Sequence, residues 1–202
     1  MNYTRTRFLI GSFLAFIAWV VMLLIGGKGA AADVWAAEWL SVAGKPELES
    51  FARLVARLGD WPALTVAAII GTILTAIHRR RRAALLLILI VTGRVVVEIQ
   101  KALIGRVPPH ALEHYEVHPA GSFPSVSAAN ALITFLAVAL LLPSREWKHT
   151  VYITVALALS LLAGWSQAAL GNNWPSDVVG GWAFGLFWVM VVLRLATDRP
   201  GD

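Results

Sequence analysis

The feature that most constrains the fold of this chain is a series of six apolar runs, separated by charged or proline-containing segments. A helix needs about 20 mostly apolar residues to cross the roughly 30 Å of hydrocarbon in a bilayer. The runs approach that length, and we place helices at 8–27, 62–77, 83–104, 127–142, 150–170 and 177–195. The sequence therefore predicts an all-α integral membrane protein, a six-transmembrane-helix bundle formed by a single membrane domain, 1–202.

The composition favours a membrane protein over a soluble enzyme. Apolar residues make up 58% of the chain and charged residues 14%, whereas soluble domains average about 45–50% and 25%. Cysteine is absent, which excludes a disulfide framework, a thiolate metal site and a cysteine nucleophile. The net charge is +5, but the arginines separate apolar runs. We therefore attribute the basic excess to membrane topology and not to nucleic-acid binding.

The positive charges predict the orientation of the helices. They form four groups: Arg5 and Arg7, then 79–82, then Arg145 and Lys148, then Arg194 and Arg199. All four groups lie on one side of the membrane if the chain crosses it six times. Because positive residues accumulate in cytoplasmic segments, we predict cytoplasmic termini in a bacterial inner (plasma) membrane. A signal peptide is the alternative for the first run, although its apolar core would be shorter.

The segment 28–60 lies on the opposite side of the membrane in this topology, facing the periplasm or exterior. Apolar and charged residues alternate there at near-helical spacing and are interrupted around 44–46. This pattern predicts a short amphipathic helical segment at the membrane interface.

Charged residues cluster near the far end of the third predicted span. Arg94 and Glu98 are four residues apart, a spacing that allows an ion pair on one face of a helix. Lys101 and Arg106 follow, and two cations at a helix end are suited to clamping a phosphate or a lipid headgroup. The alternative for these two cations is that they reach to the interface without a ligand.

Three segments, in order along the chain, resemble the motifs of a known membrane family. They are 101–109 (KALIGRVPP), 122–130 (SFPSVSAAN) and 166–181 (SQAALGNNWPSDVVGG). Together with the six-helix layout, they are similar to the type 2 phosphatidic acid phosphatase superfamily, which includes lipid phosphate phosphatases and haloperoxidases. The resemblance extends over about 50–195 and implies the family's helical bundle and a lipid phosphate substrate.

The frame of the motifs matches the family, but several of its charged and reactive groups are replaced. The matching residues are Lys101, Pro109, Pro124, Ser125, Ser166 and Asp177. Pro108 and Gln167 stand where the family has arginines, and Val126 stands where it has glycine. The resemblance therefore implies a phosphate site that has lost two cations.

The residues that perform the family's chemistry are also replaced. Ser127 stands where the family has its general-acid histidine, and Asn173 stands where it has its nucleophilic histidine. An amide is not a usable nucleophile, and a serine hydroxyl does not titrate near neutral pH. Asp177, which orients the nucleophilic histidine in the family, has only an amide to hold. We expect no turnover by the family's route.

The leading prediction is a non-catalytic member of this superfamily that keeps a pocket at the outer membrane face. The expected headgroup-binding residues are Lys101, Arg106, Ser125, Ser127, Ser166, Gln167, Asn173 and Asp177. The expected ligand is a membrane lipid or a lipid-linked phosphate or sugar, and a protein partner in the membrane is a further expectation. We expect no cofactor and no metal.

Two other functions stay open at this stage. One is an active lipid phosphate or pyrophosphate phosphatase, or a phosphotransferase, that uses a histidine outside the motifs. His110, His114 and His118 are spaced four apart, so a helical turn there would place them on one face, where they could also bind zinc. A polar loop at the membrane surface is the simpler interpretation of these residues. The other function is a lipid-carrier transport or assembly subunit.

Overall fold

The computed structural model describes residues 2–27, 30–109 and 121–197. Within them the chain forms eight α-helices and one short 3-10 helix. The helices are α1 (Asn2–Ile25), α2 (Ala31–Leu40), α3 (Pro46–Ala56), α4 (Trp61–His78), α5 (Arg80–Ile104), α6 (Val126–Leu141), α7 (Glu146–Ala169) and α8 (Pro175–Thr197), with the 3-10 helix Arg57–Gly59. The described residues contain no strand, so the all-α prediction is confirmed for them.

Five of the described helices are long and apolar enough to cross a membrane: α1, α4, α5, α7 and α8. Their outward surfaces present large apolar side chains, such as Phe13 on α1, Ile70 on α4 and Leu161 on α7. Contiguous exposed apolar surface of this kind is unfavourable in water and favourable in lipid. The remaining predicted span, 127–142, corresponds to α6, which has 16 residues. The six-span count therefore stays a prediction.

Helix α6 lies at the centre of the bundle and packs against α4, α5, α7 and α8. Small residues, including Ala128, Ala129 and Ala137, are fully buried along it. Small side chains let helix backbones approach closely, which is how membrane helices gain packing energy when burial from water contributes little. The sequence of α6 thus explains its central position.

The segment between the first two long helices forms α2, α3 and the 3-10 helix. Ala52 of α3 is buried against Ala169 and Leu170 at the end of α7, while Leu54 is 63% exposed. Trp35 and Trp39 of α2 are also exposed. The helices are present, but their predicted position in the membrane interface is not tested by the packing of the chain.

The ion pair that the sequence suggested between Arg94 and Glu98 does not form in the structure. Among the described residues, no salt bridge or hydrogen bond joins the two side chains. Glu98 lies on the exposed face of α5 and is close enough to attract the ammonium group of Lys101. A spacing of four residues permits a pair on a helix but does not require one.

The packing of α5 against α8 depends on a glycine. A Cβ added at Gly93 would lie 2.8 Å from Cδ1 and Nε1 of Trp188. The same indole Nε1 donates a hydrogen bond of 3.1 Å to the carbonyl oxygen of Leu89, one turn earlier on α5. The absence of a side chain at position 93 therefore lets the indole lie directly against the helix backbone.

We predict that Gly93→Leu destabilises the protein, because the new side chain would displace the indole of Trp188 and break its hydrogen bond to Leu89. Overpacking of this kind costs about 1–3 kcal/mol. The measurement is the unfolding temperature of the purified protein in detergent. Thr92→Leu, at the exposed neighbouring position, introduces the same side chain as a control. Equal unfolding temperatures for the two variants would contradict the prediction.

Candidate functional site

The three motif segments meet at one end of the bundle, where backbone hydrogen bonds join them. Ser122 N–H donates to the carbonyl oxygen of Arg106 at 2.7 Å, and Ser125 N–H donates to that of Asp177 at 3.0 Å. Asn173 N–H donates to the carbonyl oxygen of Gln167 at 3.2 Å. The structure thus brings together the end of α5, the start of α6, the end of α7 and the start of α8.

Arg106 lies between these segments and points into the protein. Its Nη1 donates to Oδ1 of Asp177 at 2.8 Å and to Oγ of Ser176 at 3.0 Å. Its Nη2 donates to the carbonyl oxygens of Met22 at 3.0 Å and Leu23 at 2.7 Å. The side chain is only 10% exposed. Its guanidinium therefore joins α1 to α8, and the clamping of a headgroup by Arg106 stays a prediction.

An aromatic ring completes the surroundings of this guanidinium. The Arg106 Cζ lies 4.3 Å from the centroid of the Phe123 ring, within the range of a favourable cation–π contact. Phe123 is fully buried and also contacts Trp19 of α1. The motif segment before α6 thus helps to enclose the charge.

Asp177 belongs to the N-terminal turn of α8. Trp174 precedes the helix, Pro175 is its first residue, and Oδ2 of Asp177 accepts a hydrogen bond of 2.8 Å from Trp174 N–H. An acidic side chain at the third helical position that binds the N-cap N–H is half of a capping box, and proline is favoured at the first position. Asp177 therefore holds the start of α8 whether or not a histidine is present at position 173.

A second carboxylate, which the motifs did not indicate, also lies at the start of α8. Oδ1 of Asp33 accepts a hydrogen bond of 2.9 Å from Ser176 N–H. Oδ2 accepts from Ser176 Oγ at 2.6 Å and from Gly27 N–H at 2.7 Å. Negative charge is stabilised at a helix N-terminus. Asp33 is buried, and no spacing in the sequence links this residue of α2 to α8.

The amide of Asn173, at the family's nucleophile position, is fully engaged. Its Nδ2 donates to the carbonyl oxygen of Ser122 at 2.7 Å, and its Oδ1 accepts from Ser125 Oγ at 3.1 Å. Asn173 is buried. The NH2 group of the amide donates to a carbonyl group and its oxygen accepts from a hydroxyl group. Asn173 therefore joins the third motif segment to the second.

The other predicted headgroup residues have different environments. Gln167 is buried, and its Oε1 accepts from Asn172 Nδ2 at 3.2 Å. Ser166 Oγ donates to the carbonyl oxygen of Ala163, within α7, at 2.8 Å. A Cβ added at Gly59 would lie 2.9 Å from Cβ of Ser127, so Ser127 packs beside the 3-10 helix. Across the described part of the chain, Ser127 makes no side-chain hydrogen bond to the other motif residues.

The segment that matches the family's first motif, 101–109, has one cation besides the ion-paired Arg106. Lys101 is half-buried and lies within electrostatic range of Glu98 and Asp177. Pro108, which has no charge, stands where the family has an arginine. The adjacent Val107 accepts a hydrogen bond of 2.8 Å from Nε1 of Trp174. This contact ties the end of the first motif to the start of α8.

An open cleft of about 480 Å³ lies beside the joined motifs, between α2 and the end of α7. Its walls are mostly apolar and include Leu170 and Trp174. Its polar members are Glu38 of α2 and Ser41, the residue that follows this helix. Pro109 also lines it. None of the eight predicted headgroup residues is among those lining this cleft. This cleft is therefore not formed by the polar side chains that the sequence assigned to headgroup binding.

The described ranges contain no group of three or more His, Cys, Asp or Glu side chains that could hold a metal ion. His110, His114 and His118 lie outside the described residues. The histidines that are described, His78 and His149, lie at the end of α4 and near the start of α7.

Comparisons with known proteins agree with the motif resemblance. The model of the PAP2 superfamily matches residues 82–200. A crystal structure of the first transmembrane PAP2 type phosphatidylglycerolphosphate phosphatase from Bacillus subtilis matches at 22% identity and a TM-score of 0.81, covering 95% of this chain and 98% of that one. The structure of LpxE from Aquifex aeolicus matches at 22% identity and a TM-score of 0.64, covering 81% and 96%. A search of curated proteins found no significant match.

We predict that Arg106→Met strongly destabilises the protein, because Asp177 would lose its cation and four donated hydrogen bonds would be lost with it. Removing one partner of a buried ion pair costs about 3–5 kcal/mol. The measurement is thermal unfolding in detergent, and the double variant Arg106→Met/Asp177→Asn should recover part of the loss.

Arg53→Met is the matched control, since Arg53 pairs with Glu49 on the exposed surface of α3, where such pairs contribute about 0–1 kcal/mol. If Arg106→Met lowered the unfolding temperature no more than Arg53→Met does, the proposed joining role of Arg106 would be wrong.

Proposed function

The chain belongs to the PAP2 superfamily and is an integral membrane protein of the fold of membrane lipid phosphatases. From that premise we propose that it binds a lipid headgroup or a lipid-linked substrate at the outer face of the membrane without hydrolysing phosphate. The proposal keeps the family's ligand class, a membrane lipid, and gives up the family's reaction.

The observation that supports loss of the reaction is the environment of Asn173. The family resemblance assigns a nucleophilic histidine to this position. Here the side chain is a buried amide with hydrogen bonds to Ser122 and Ser125 at its two ends. An amide nitrogen does not attack phosphorus under physiological conditions. In addition, the two hydrogen bonds hold the amide in a joining role between motifs.

The remaining parts of the family's machinery are also absent or used elsewhere. Phosphoryl transfer depends on positive charge around the equatorial oxygens and on a proton donor for the leaving oxygen. Pro108 and Gln167 supply no charge, Arg106 is bound to Asp177, and Ser127 cannot act as an imidazole. Loss of a general acid alone costs a factor of about 10² to 10⁴. Loss of nucleophile, acid and cations together supports a protein without phosphatase turnover.

Binding requires fewer of these groups than turnover does. The cleft beside the motifs offers apolar walls, the hydroxyl of Ser41 and the carboxylate of Glu38. Lys101 is the half-buried cation at the same end of the bundle. A polar headgroup can occupy such a cleft while its acyl or prenyl chain lies along the apolar outer surface of the helices.

A second candidate function is catalysis by a histidine of the segment 110–120. The position of the two ends of this segment favours it: Pro109 lines the cleft, and Ser122 hydrogen-bonds to the carbonyl oxygen of Arg106. The described residues on either side of this segment therefore lie at the site. His114 and His118 are the residues to test for this function.

We expect the purified protein to release no phosphate from lipid phosphates and pyrophosphates, because Asn173 cannot form a phosphoenzyme. The measurement is phosphate release from a panel that includes phosphatidic acid and phosphatidylglycerol phosphate, with an active PAP2 phosphatase as positive control. Asn173→His alone should stay inactive, since the cations and the proton donor would still be missing and such groups act as a unit. Lipid binding is measured separately, with the same panel in nanodiscs.

The controls for this assay are His114→Ala and His118→Ala. Release by the unmodified protein that disappears in either variant would establish the second candidate function. Release that survives both changes would contradict both proposals. Failure of every lipid in the panel to bind would contradict the binding part of the first proposal.

We also propose the topology that the arginines predict, with six spans, cytoplasmic termini and the motif end of the bundle facing the periplasm. The central position of α6 among four long helices supports its role as the sixth span.

Cysteine labelling tests this topology. Since the chain has no cysteine, Ser50→Cys and Arg81→Cys each introduce a unique label. A membrane-impermeant thiol reagent applied to intact cells whose outer membrane has been made permeable should label position 50 and spare position 81. Labelling of both positions from the same side would overturn the topology.

A further inference from the structure

Helix α5 has charged side chains at a depth where the bilayer is apolar. Arg94 lies about 15 Å and Glu98 about 9 Å from the Ile104 end of this helix, at 1.5 Å per residue. The Arg80 end is about 21 Å from Arg94 by the same rise. Both residues therefore fall within a hydrocarbon layer of roughly 30 Å if α5 spans the membrane.

These two side chains have no directly bonded partner among the residues that the structure describes. Neither Arg94 nor Glu98 has a hydrogen bond or an ion pair within that part of the chain. Glu98 is exposed, and Arg94 is half-buried. Ionisable groups within membrane spans are costly and almost always pair with other groups or face a polar cavity. Among the described residues, Lys101 attracts Glu98 electrostatically but forms no ion pair with it. Glu98 lies on the outer surface of α5 and is therefore accessible to a partner from another chain.

The exposed face of α5 has the spacing of a helix-pairing seam. Exposed residues follow one another at intervals of four, three, four, three and four along this face: Ala84, Ile88, Val91, Val95, Glu98 and Ala102. Alternating intervals of three and four give the 3.5-residue repeat of two helices packed along each other. Glu98 lies in this seam, and Arg94 flanks it beside Val95.

We propose that a second copy of this chain packs against the seam, forming a parallel twofold dimer in which the long side chain of Arg94, from beside the seam, reaches across to Glu98 of the other copy. Two copies in one membrane share an orientation, so their α5 helices meet in parallel. A twofold axis repeats each contact, so the two oppositely charged residues of one copy meet their complements on the other. A single polar position in an otherwise apolar seam also fixes the register of the two helices.

Other occupants fit this face less well. A lipid headgroup lies at the membrane surface, whereas Glu98 and Arg94 are about 9 and 15 Å from the end of the helix. A different membrane protein would need its own acidic and basic residues at matching depths. The second copy supplies both by symmetry.

Charge reversal tests the pairing directly. In liposomes, Förster transfer between donor- and acceptor-labelled copies, each labelled through Ser50→Cys, measures association. We expect Arg94→Glu and Glu98→Arg each to reduce self-association by about tenfold or more, since the seam then holds charges of one sign. A mixture of the two variants should associate as the unmodified protein does, because one copy is acidic and the other basic at these positions.

Arg57→Glu, a charge reversal at an exposed position away from the seam, should leave association unchanged. A mixture of the two seam variants that fails to associate would overturn the proposal, because a purely internal effect of either change would not be repaired by mixing. Absence of transfer in the unmodified protein would overturn it as well.

A second measurement leaves all charges in place. Val95→Cys in this cysteine-free chain should form a disulfide-linked dimer on mild oxidation, because residues on the seam face their own copies across the twofold axis. Ile73→Cys on α4 and Leu161→Cys on α7 are controls of similar exposure, at 56% and 50% against 51% for Val95. Equal cross-linking at all three positions, or a cross-link from position 95 to another protein, would overturn the assignment of this face to a second copy.

Discussion

The ion pair between Arg106 and Asp177 is the interaction on which the motif end of this protein depends. The guanidinium of Arg106 donates hydrogen bonds to the carboxylate at the start of α8 and to two carbonyl groups in the last turn of α1. Carbonyl groups in the last turn of a helix have no donor within the helix. The neighbouring Ser176 is held in turn by Asp33 of α2. Helices α1 and α8, which are distant in sequence, therefore meet around a single buried cation, and α2 is attached beside it through Ser176. Breaking such a pair leaves a buried charge without compensation. Replacing Arg106 would therefore destabilise this end of the bundle.

This arrangement explains how a motif frame can persist after its reactive groups are replaced. In the family, Asp177 corresponds to the residue that orients a nucleophilic histidine. Here the same carboxylate also caps α8 through Trp174 and balances Arg106, and both roles are independent of residue 173. Ser125 likewise caps α6, where its hydroxyl accepts from Ala128 N–H, in addition to contacting Asn173. Structural roles of this kind do not depend on catalysis, which agrees with the non-catalytic function that we propose. Pro108, Ser127 and Gln167 stand at positions to which the family resemblance assigns chemical roles.

The parts of this structure that sequence predicted are those with a periodic or motif signal. Apolar runs mark long helices because the bilayer demands about 20 apolar residues per span, and the motif order led us to expect that Ser125, Asn173 and Asp177 would lie together, as they do in the structure. The direction in which a side chain points has no such signal. The pairing of Arg106 with Asp177 was not expected from the motifs, and Asp33 was not expected at the site at all. Likewise, helical spacing permitted a pair between Arg94 and Glu98, but rotamers and neighbouring helices decide whether it forms.

Arg94 and Arg106 both need their charge to be compensated, and the structure surrounds them differently. A charge in or near the hydrocarbon layer must be compensated, because neither water nor lipid tails can do so there. Arg106 lies where helices begin and end, so the carboxylate of Asp177 on α8 and two carbonyl groups of α1 surround its guanidinium. Arg94 lies on a continuous helix whose own carbonyl groups are already hydrogen-bonded along α5, and the nearest carboxylate in sequence, Glu98, faces outward. Among the residues that the structure describes, compensation is therefore available at the end of the bundle and not along the middle of α5. The same requirement thus stabilises the motif end of the bundle through Arg106 and, in the dimer that we propose, favours association through Arg94.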